Sequence, residues 1–171
     1  MSRVDTEIDK RLEGIATPAA QDLRGLAAVA NARLAYALFR ERFSGPRWEV
    51  LSGAGARVQR PLWASTGTKN ANYSDVKYVD ALIGPDTVNT FPPATLEAFR
   101  DHGAVARTVD FDVEGAGRAI EKIEALGISL DSVTDKLLKE GLAAFQQSFD
   151  SLLAGIEGKM GRIARKAASA R

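Results

Sequence analysis

A chain of 171 residues with 23 basic and 22 acidic side chains, formal net charge +1, is long enough for one domain with a real core. It has no bulk field to recruit nucleic acid or an anionic membrane. It contains no cysteine and a single histidine, His102, which excludes disulfide, thiolate and cysteine-metal chemistry and argues against His-triad catalysis and His-rich metal sites. The charged start MSRVDTEIDKRLEG and the lack of any apolar run approaching the ~20 residues of a membrane span predict a soluble, cytoplasmic protein.

After that short charged opening, Thr17-Pro18 supplies an N-cap followed by proline at the first helical position. One long helix is predicted from there to Phe43, with Leu23, Leu26, Ala27, Ala30, Leu34, Ala37 and Leu38 at helical spacing. Ser44-Gly45-Pro46 ends it. Trp48 to Ala54 reads as a short helical turn, and Arg57 to Arg60 leads into a strand at Pro61. Ser74-Asp75 opens a compact helix, VKYVDALIG. A second unit follows on the same plan: a strand at Thr87 to Thr90, a proline turn at Phe91 to Pro93, and a helix from Ala94 to Asp101. Two successive strand-loop-helix units predict parallel pairing. Ala104 to Val109 reads as a further short strand or extended edge, and two helices complete the chain, from Val113 to Leu126 and from about Ser129 through an amphipathic stripe ending at Ile156. The basic tail KMGRIARKAASAR is read as frayed. The chain is taken as one unit over 1–171, composed of 1–60, the two βα units of 61–103, and the helices of 104–171.

The stretch PLWASTGTKN carries the chemistry. It begins as an apolar strand and ends in a loop holding Ser65, Thr66, Thr68 and Lys69. A solvated turn is one reading; an anion site is the other, because hydroxyls, backbone N–H groups and an ammonium are the donors that hold a phosphate. The sheet is short for the number of helices, too little for a complete barrel or doubly wound domain, so the pieces look like the end of a larger fold.

The segments SRVDTEIDKRLEGI, LRGLAAVANARLAY and QRPLWASTGTKNANYSDVKYVDALIGPDTVNTFPPATLEAFRDHG together resemble the C-terminal half of a transaldolase of the actinobacterial type. The resemblance implies an α/β fold, the C-terminal part of a (β/α)8 TIM barrel, with PLWAS as the seventh strand and DTVNT as the eighth. It implies transfer of a dihydroxyacetone unit between sugar phosphates through a lysine Schiff base, in the non-oxidative pentose phosphate pathway and with no metal or organic cofactor. The sugars implied are fructose 6-phosphate, sedoheptulose 7-phosphate, erythrose 4-phosphate and glyceraldehyde 3-phosphate. On this likeness Arg3 falls where the family places a phosphate-binding arginine after strand six, and Ser65 and Lys69 match the serine and basic residue after strand seven. Thr66 and Thr68 are further candidate donors, and Trp63, Asn89 and Thr90 candidate pocket residues. Where many family members have an arginine close behind the strand-seven serine, this sequence offers Lys69 four residues on, and a lysine binds phosphate as a point charge without bidentate geometry.

No catalytic residue is expected within the chain. The Schiff-base lysine belongs to strand four, which by this likeness lies upstream of Met1, so the isolated chain is expected to be inactive, and to self-associate or to require its missing N-terminal half. The rival reading is a non-catalytic, helix-rich module that binds an anion or a partner. Asp75 and Asp80 are read as helix-capping or solvated residues, and His102 as a cation at a helix C-terminus. Trp63 alternates with Ser65, which would point both to one side of the sheet, with core packing as its default role.

Overall fold

The structure, a computed structural model, describes residues 1–169. The chain divides into two compact units, Met1–Val133 and Thr134–Arg171.

The first unit opens with α1 (Ser2–Ile15), where only a charged opening is expected from the sequence. Its buried face is Ser2, Asp5, Ile8, Asp9 and Leu12, a helical spacing in which two of five positions are carboxylates. Hydropathy alone therefore misses it. Ala16 closes the helix in the left-handed region, φ 52°, with its N–H on Leu12 O.

The single long helix predicted from Pro18 is two. Thr17 caps α2 (Pro18–Gln21) by accepting from Ala20 N at 3.3 Å, as its sequence foretells. The chain then turns at Gly25, φ 71°, before α3 (Ala27–Arg42). Gly25 is the only residue type that fits: a Cβ there would lie 2.6 Å from Lys77 Nζ and 2.7 Å from the Tyr73 ring. α4 (Gly45–Gly53) follows, and residues 49–60 are exposed throughout.

β1 (Leu62–Ala64) and β2 (Val88–Thr90) pair in parallel in the register Leu62↔Val88, Trp63↔Asn89 and Ala64↔Thr90, which bears out the parallel reading. Each feeds a helix, α5 (Lys77–Asp80) after β1 and α6 (Pro93–His102) after β2. Residues 104–109, expected as a short strand or an extended edge, form no strand. Instead they dock on the segment around Ile83, whose carbonyl accepts from Thr108 N and Val109 N at 2.9 and 3.1 Å. Val109 is fully buried and leaves Gly84 no room for a side chain, since a Cβ would come within 2.1 Å of Val109 Cγ1. Asp112 then caps α7 (Val113–Ala125) by accepting from Gly115 N.

The main core joins α3 to the sheet: Ala32, Tyr36 and Phe39 pack with Trp63, Leu82 and Val109. A second cluster seats α7 on α3 through Ala30, Ala116 and Ile120. The architecture is thus α/β, helix-rich around a two-stranded parallel sheet.

The last helix, α8 (Leu130–Ser169), supplies the body of the second unit. Leu138, Leu142, Phe145, Phe149, Leu152 and Ile156 recur along it at steps of three and four. The tail expected to fray is helical through Ser169, and residues 170 and 171 lie outside the described residues. Among the described residues, no helix is long and apolar enough to cross a membrane.

Candidate anion site and family

The site begins where β1 ends. Ser65 takes a left-handed backbone, φ 57°, so the strand pleat stops there and the alternation of Trp63 with Ser65 no longer dictates a shared face. Trp63 points into the core, 5% exposed, with its indole Nε1 donating to Leu82 O at 3.2 Å. That is the packing role the sequence gives it by default.

The loop beyond Ser65 is stitched by its own hydroxyls. Thr66, fully buried, donates from Oγ1 to Asn89 Oδ1 at 2.7 Å and so ties the end of β1 to β2. Thr68 Oγ1 donates to Ser74 O at 2.8 Å, and Asn70 Oδ1 accepts from Asn72 N at 3.0 Å. Thr90 is exposed, its Oγ1 at a long 3.5 Å from Trp63 O. The hydroxyls of Thr66 and Thr68 and the Oδ1 of Asn89 are therefore spent on the fold.

Arg3, Ser65 and Lys69 do not. All three are exposed, and none has a side-chain hydrogen bond or ion pair among the described residues. The chain brings Arg3 and Ser65 close through α1, because Met1 N donates to Ala64 O at 2.7 Å and Ser2 N to Ser65 O at 3.0 Å. Arg3 therefore follows directly on a residue bonded to Ser65. Burial holds the Met1 ammonium below its ordinary pKa; Asp5 opposes the shift, and Arg3 and Lys69 add to it. Both cations thus act on the Met1 ammonium, which donates to the last residue of β1.

Behind this surface lies a buried polar network that the sequence reading misses. Asp5, 1% exposed, accepts from Ala28 N at 2.7 Å, Tyr78 OH at 2.8 Å and Lys77 Nζ at 3.1 Å. Asp9, 5% exposed, accepts from Gly25 N and Tyr73 OH, both at 2.7 Å. Lys77 also donates to Gly25 O at 2.6 Å, and its ammonium sits 3.8 Å from the Tyr73 ring centroid. Burial first, then the neighbouring carboxylates, pushes both phenols well above the ordinary tyrosine value, Tyr73 beside Asp9 and Tyr78 beside Asp5. Every carboxylate oxygen is satisfied, so the network fixes α1, the Gly25 turn and the 70–78 segment to one another. The one available sequence signal was the Asp5–Asp9 pair on the same helical face as Ile8 and Leu12.

His102, at the end of α6, sits between two carboxylates, Nε2 2.8 Å from Asp75 and Nδ1 3.1 Å from Asp101. Asp75 first and Asp101 second raise its pKa. Among the described residues there is no group of three or more side chains that could hold a metal ion.

The sequence pattern of the Transaldolase/Fructose-6-phosphate aldolase family matches residues 1–156. The chain is similar to the transaldolase of Parafrankia sp. (strain EAN1pec), 49% identical over 96% of this chain and 45% of that protein. It is similar to transaldolase 2 of Streptomyces coelicolor, 50% identical over 96% of this chain and 44% of that protein. The transaldolase of Renibacterium salmoninarum is 48% identical over 97% of this chain and 45% of its own length. The chain thus spans less than half the length of these relatives, while matching them along nearly all of its own. With a parallel βα pair, uncommitted donors at a strand's C-terminal end, and a family pattern that covers most of its length, this chain belongs to the Transaldolase/Fructose-6-phosphate aldolase family.

Proposed function

We propose that the chain is the phosphate-gripping portion of a transaldolase barrel, with β1 and β2 as its seventh and eighth strands. The observation that carries this reading is that Arg3 and Ser65, joined through the bond from Ser2 N to Ser65 O, stand uncommitted at the C-terminal end of a parallel strand, with Lys69 uncommitted in the loop that follows. Barrel active sites lie on that face, commonly with a phosphate held by the loops after the last two strands. The loop's other hydroxyls are already bonded within the fold, which leaves Ser65, Arg3 and Lys69 to face a ligand.

In this role Arg3 offers a planar fork to two phosphate oxygens, Lys69 a point charge, and Ser65 a hydroxyl. The grip orients a sugar phosphate so that its carbonyl end reaches a barrel lysine. Attack of that amine on the carbonyl, with loss of water, gives the Schiff base through which a dihydroxyacetone unit passes from a ketose phosphate to an aldose phosphate. Fructose 6-phosphate and sedoheptulose 7-phosphate are the donors, and glyceraldehyde 3-phosphate and erythrose 4-phosphate the acceptors, of a cytoplasmic non-oxidative pentose phosphate step. The amine and the proton-shuttling carboxylates come from the remaining strands. The 171-residue chain alone binds phosphate without turnover.

Titration of the chain with fructose 6-phosphate, followed by amide chemical shifts, tests the grip. Arg3→Met should weaken binding about tenfold or more, the worth of one charge-assisted pair, and Ser65→Ala a few-fold; unchanged affinity in both refutes it. Borohydride reduction of the same mixture should give no three-carbon adduct by intact mass. An adduct on Lys69 would overturn the assignment of the amine to other strands.

A further inference from the structure

Among the described residues, the apolar side of α8 has no partner: nine large apolar side chains from Leu138 to Ile163 are each 44–80% exposed. Their order is regular. From Leu138 the stripe steps by four and three residues in alternation to Ile156, and Ile163 follows one heptad later. The pattern holds for about three and a half heptads, the length at which such spacing marks the seam of a coiled coil. The carboxylates of Glu140, Asp150 and Glu157 stay off this seam, and Lys159 is the one charged residue on it.

The two flanks of the seam differ. One carries Leu153 and Met160; the other carries Gly141, Ser148 and Gly155 at seven-residue intervals. Glycine weakens a helix interior, so each one there calls for a reason. Among the described residues none exists, since a Cβ built on Gly141 or on Gly155 meets no atom within 4 Å. A second helix laid along the seam supplies the reason, because positions without side chains let two backbones approach closely.

We infer that α8 pairs through this seam with α8 of a second copy of the chain, the two helices running antiparallel. The register follows from the residues. With Phe149 set against Leu152 of the second copy, Phe145 faces its Ile156, Leu138 its Ile163 and Leu142 its Lys159, whose stem covers apolar surface while the ammonium stays in water. Gly155 then lies beside Ser148 of the second copy. The two-fold axis falls between positions 150 and 151, so every contact is made twice, as a closed dimer requires. A parallel pair would instead set Lys159 against Lys159 in the seam and point both helix dipoles the same way. At about 150–250 Å² for a large side chain, the nine exposures amount to roughly 1,000 Å² per copy, and a pair that covers most of it reaches the ~1,600 Å² of a standard stable interface. The inference concerns the second unit alone and does not depend on the transaldolase reading.

The test is sedimentation equilibrium of the 171-residue chain, which should give twice its mass of 18.3 kDa. Phe149→Lys places a charge beside the axis and should raise the dimer dissociation constant about thirtyfold or more, the scale of a central interface aromatic. Gln147→Lys, on the far side of the helix, should leave it unchanged. Fluorescence of Trp63, buried in the first unit, checks that both variants keep that unit folded. Gly155→Ala should weaken the pair, although alanine favours a lone helix. The chain has no cysteine, so disulfide trapping reads the orientation: a mixture of Phe145→Cys and Ile156→Cys chains should cross-link, and neither variant should cross-link with itself. The inference is overturned by a monomer, by a dimer that Phe149→Lys does not weaken, or by self-linking of Phe145→Cys. A monomer that binds phosphatidylserine vesicles through the same residues overturns it in favour of a membrane surface. None of these outcomes bears on phosphate binding at Arg3 and Ser65, so the proposed function stands or falls separately.

Discussion

Replacing Asp5 by alanine removes the carboxylate on which three segments converge. The Asp5 side chain is 2% exposed and that of Lys77 19%, so the substitution leaves an ammonium largely out of water without its counter-charge. Breaking a buried pair on one side costs about 3–5 kcal/mol. Lys77 keeps Gly25 O and the face of Tyr73, which places this term at the lower end, about 3 kcal/mol. Loss of the acceptor for Ala28 N at the start of α3 adds the worth of a helix cap, about 1 kcal/mol. For a chain of this length each kcal/mol moves the melting temperature by about 2–4 °C, so a fall of roughly 10 °C is expected. Urea unfolding followed by fluorescence of buried Trp63, in a Trp48→Phe background, measures it directly. Asp5→Asn, which keeps an oxygen for Ala28 N, should lose about half as much, near 2 kcal/mol. The Asp5→Ala/Lys77→Met pair should cost at least about 1 kcal/mol less than the sum of the single changes. A loss below about 1 kcal/mol for Asp5→Ala, or additivity within about 0.5 kcal/mol, refutes the network as a structural clamp.

Thr66→Val leaves Asn89 Oδ1 without its donor at a fully buried position; a destabilisation of about 1–3 kcal/mol is expected in the same urea assay, and a neutral result would contradict the tie between strands. Gly25→Ala combines a positive φ with a Cβ only 2.6 Å from Lys77 Nζ, so it should cost more than about 1 kcal/mol, whereas Gly53→Ala, with nothing within 4 Å of its added carbon, should not destabilise. The pKa of His102 is raised above 6.5 by Asp75 and then Asp101, and that of Asp75 is lowered below 3.8 by His102. The stabilisation carried by the raised histidine is complete below its unfolded value and disappears as pH climbs through the folded one. That carried by Asp75 is present above its own unfolded value and disappears as pH falls through the lowered one, so the contact is strongest between the two. An NMR titration of the imidazole should show its midpoint fall in Asp75→Asn; an unmoved midpoint would sink the pairing.

Elements marked by local punctuation were legible in the sequence. Thr17-Pro18, the proline-flanked strands at Leu62 and Val88, and the proline opening α6 each announce themselves within a few residues, and parallel pairing follows from their order. What depends on distant partners was not legible. α1 hides because its buried face includes Asp5 and Asp9, which become core residues only once Gly25, Ala28, Tyr73, Lys77 and Tyr78 arrive from up to 73 positions away. The same network breaks the helix predicted through Gly25, since Asp9 and Lys77 take its N–H and C=O, outweighing a hydrophobic period that continues across it. Residues 104–109 have strand-like composition, yet their hydrogen bonds go to Ile83 and Asp80 O. Within the loop after β1, the sequence shows four donor side chains without saying which are spent. Thr66 and Thr68 are committed by partners at positions 89 and 74, and that division is a tertiary property.

The exposed stretch 49–60 separates Asp5, Asp9 and the Gly25 turn from Tyr73, Lys77 and Tyr78. For anyone recombining this chain with a relative, it is the natural place to cut: no buried residue falls within it, and an insertion there disturbs nothing behind it. It is a poor place to exchange. A hybrid joined at that stretch inherits the acceptors from one parent and the donors from the other, and a mismatch at any one of them strands a charge or a hydroxyl inside the protein. The positions most tolerant of added residues thus divide the residues least tolerant of being parted.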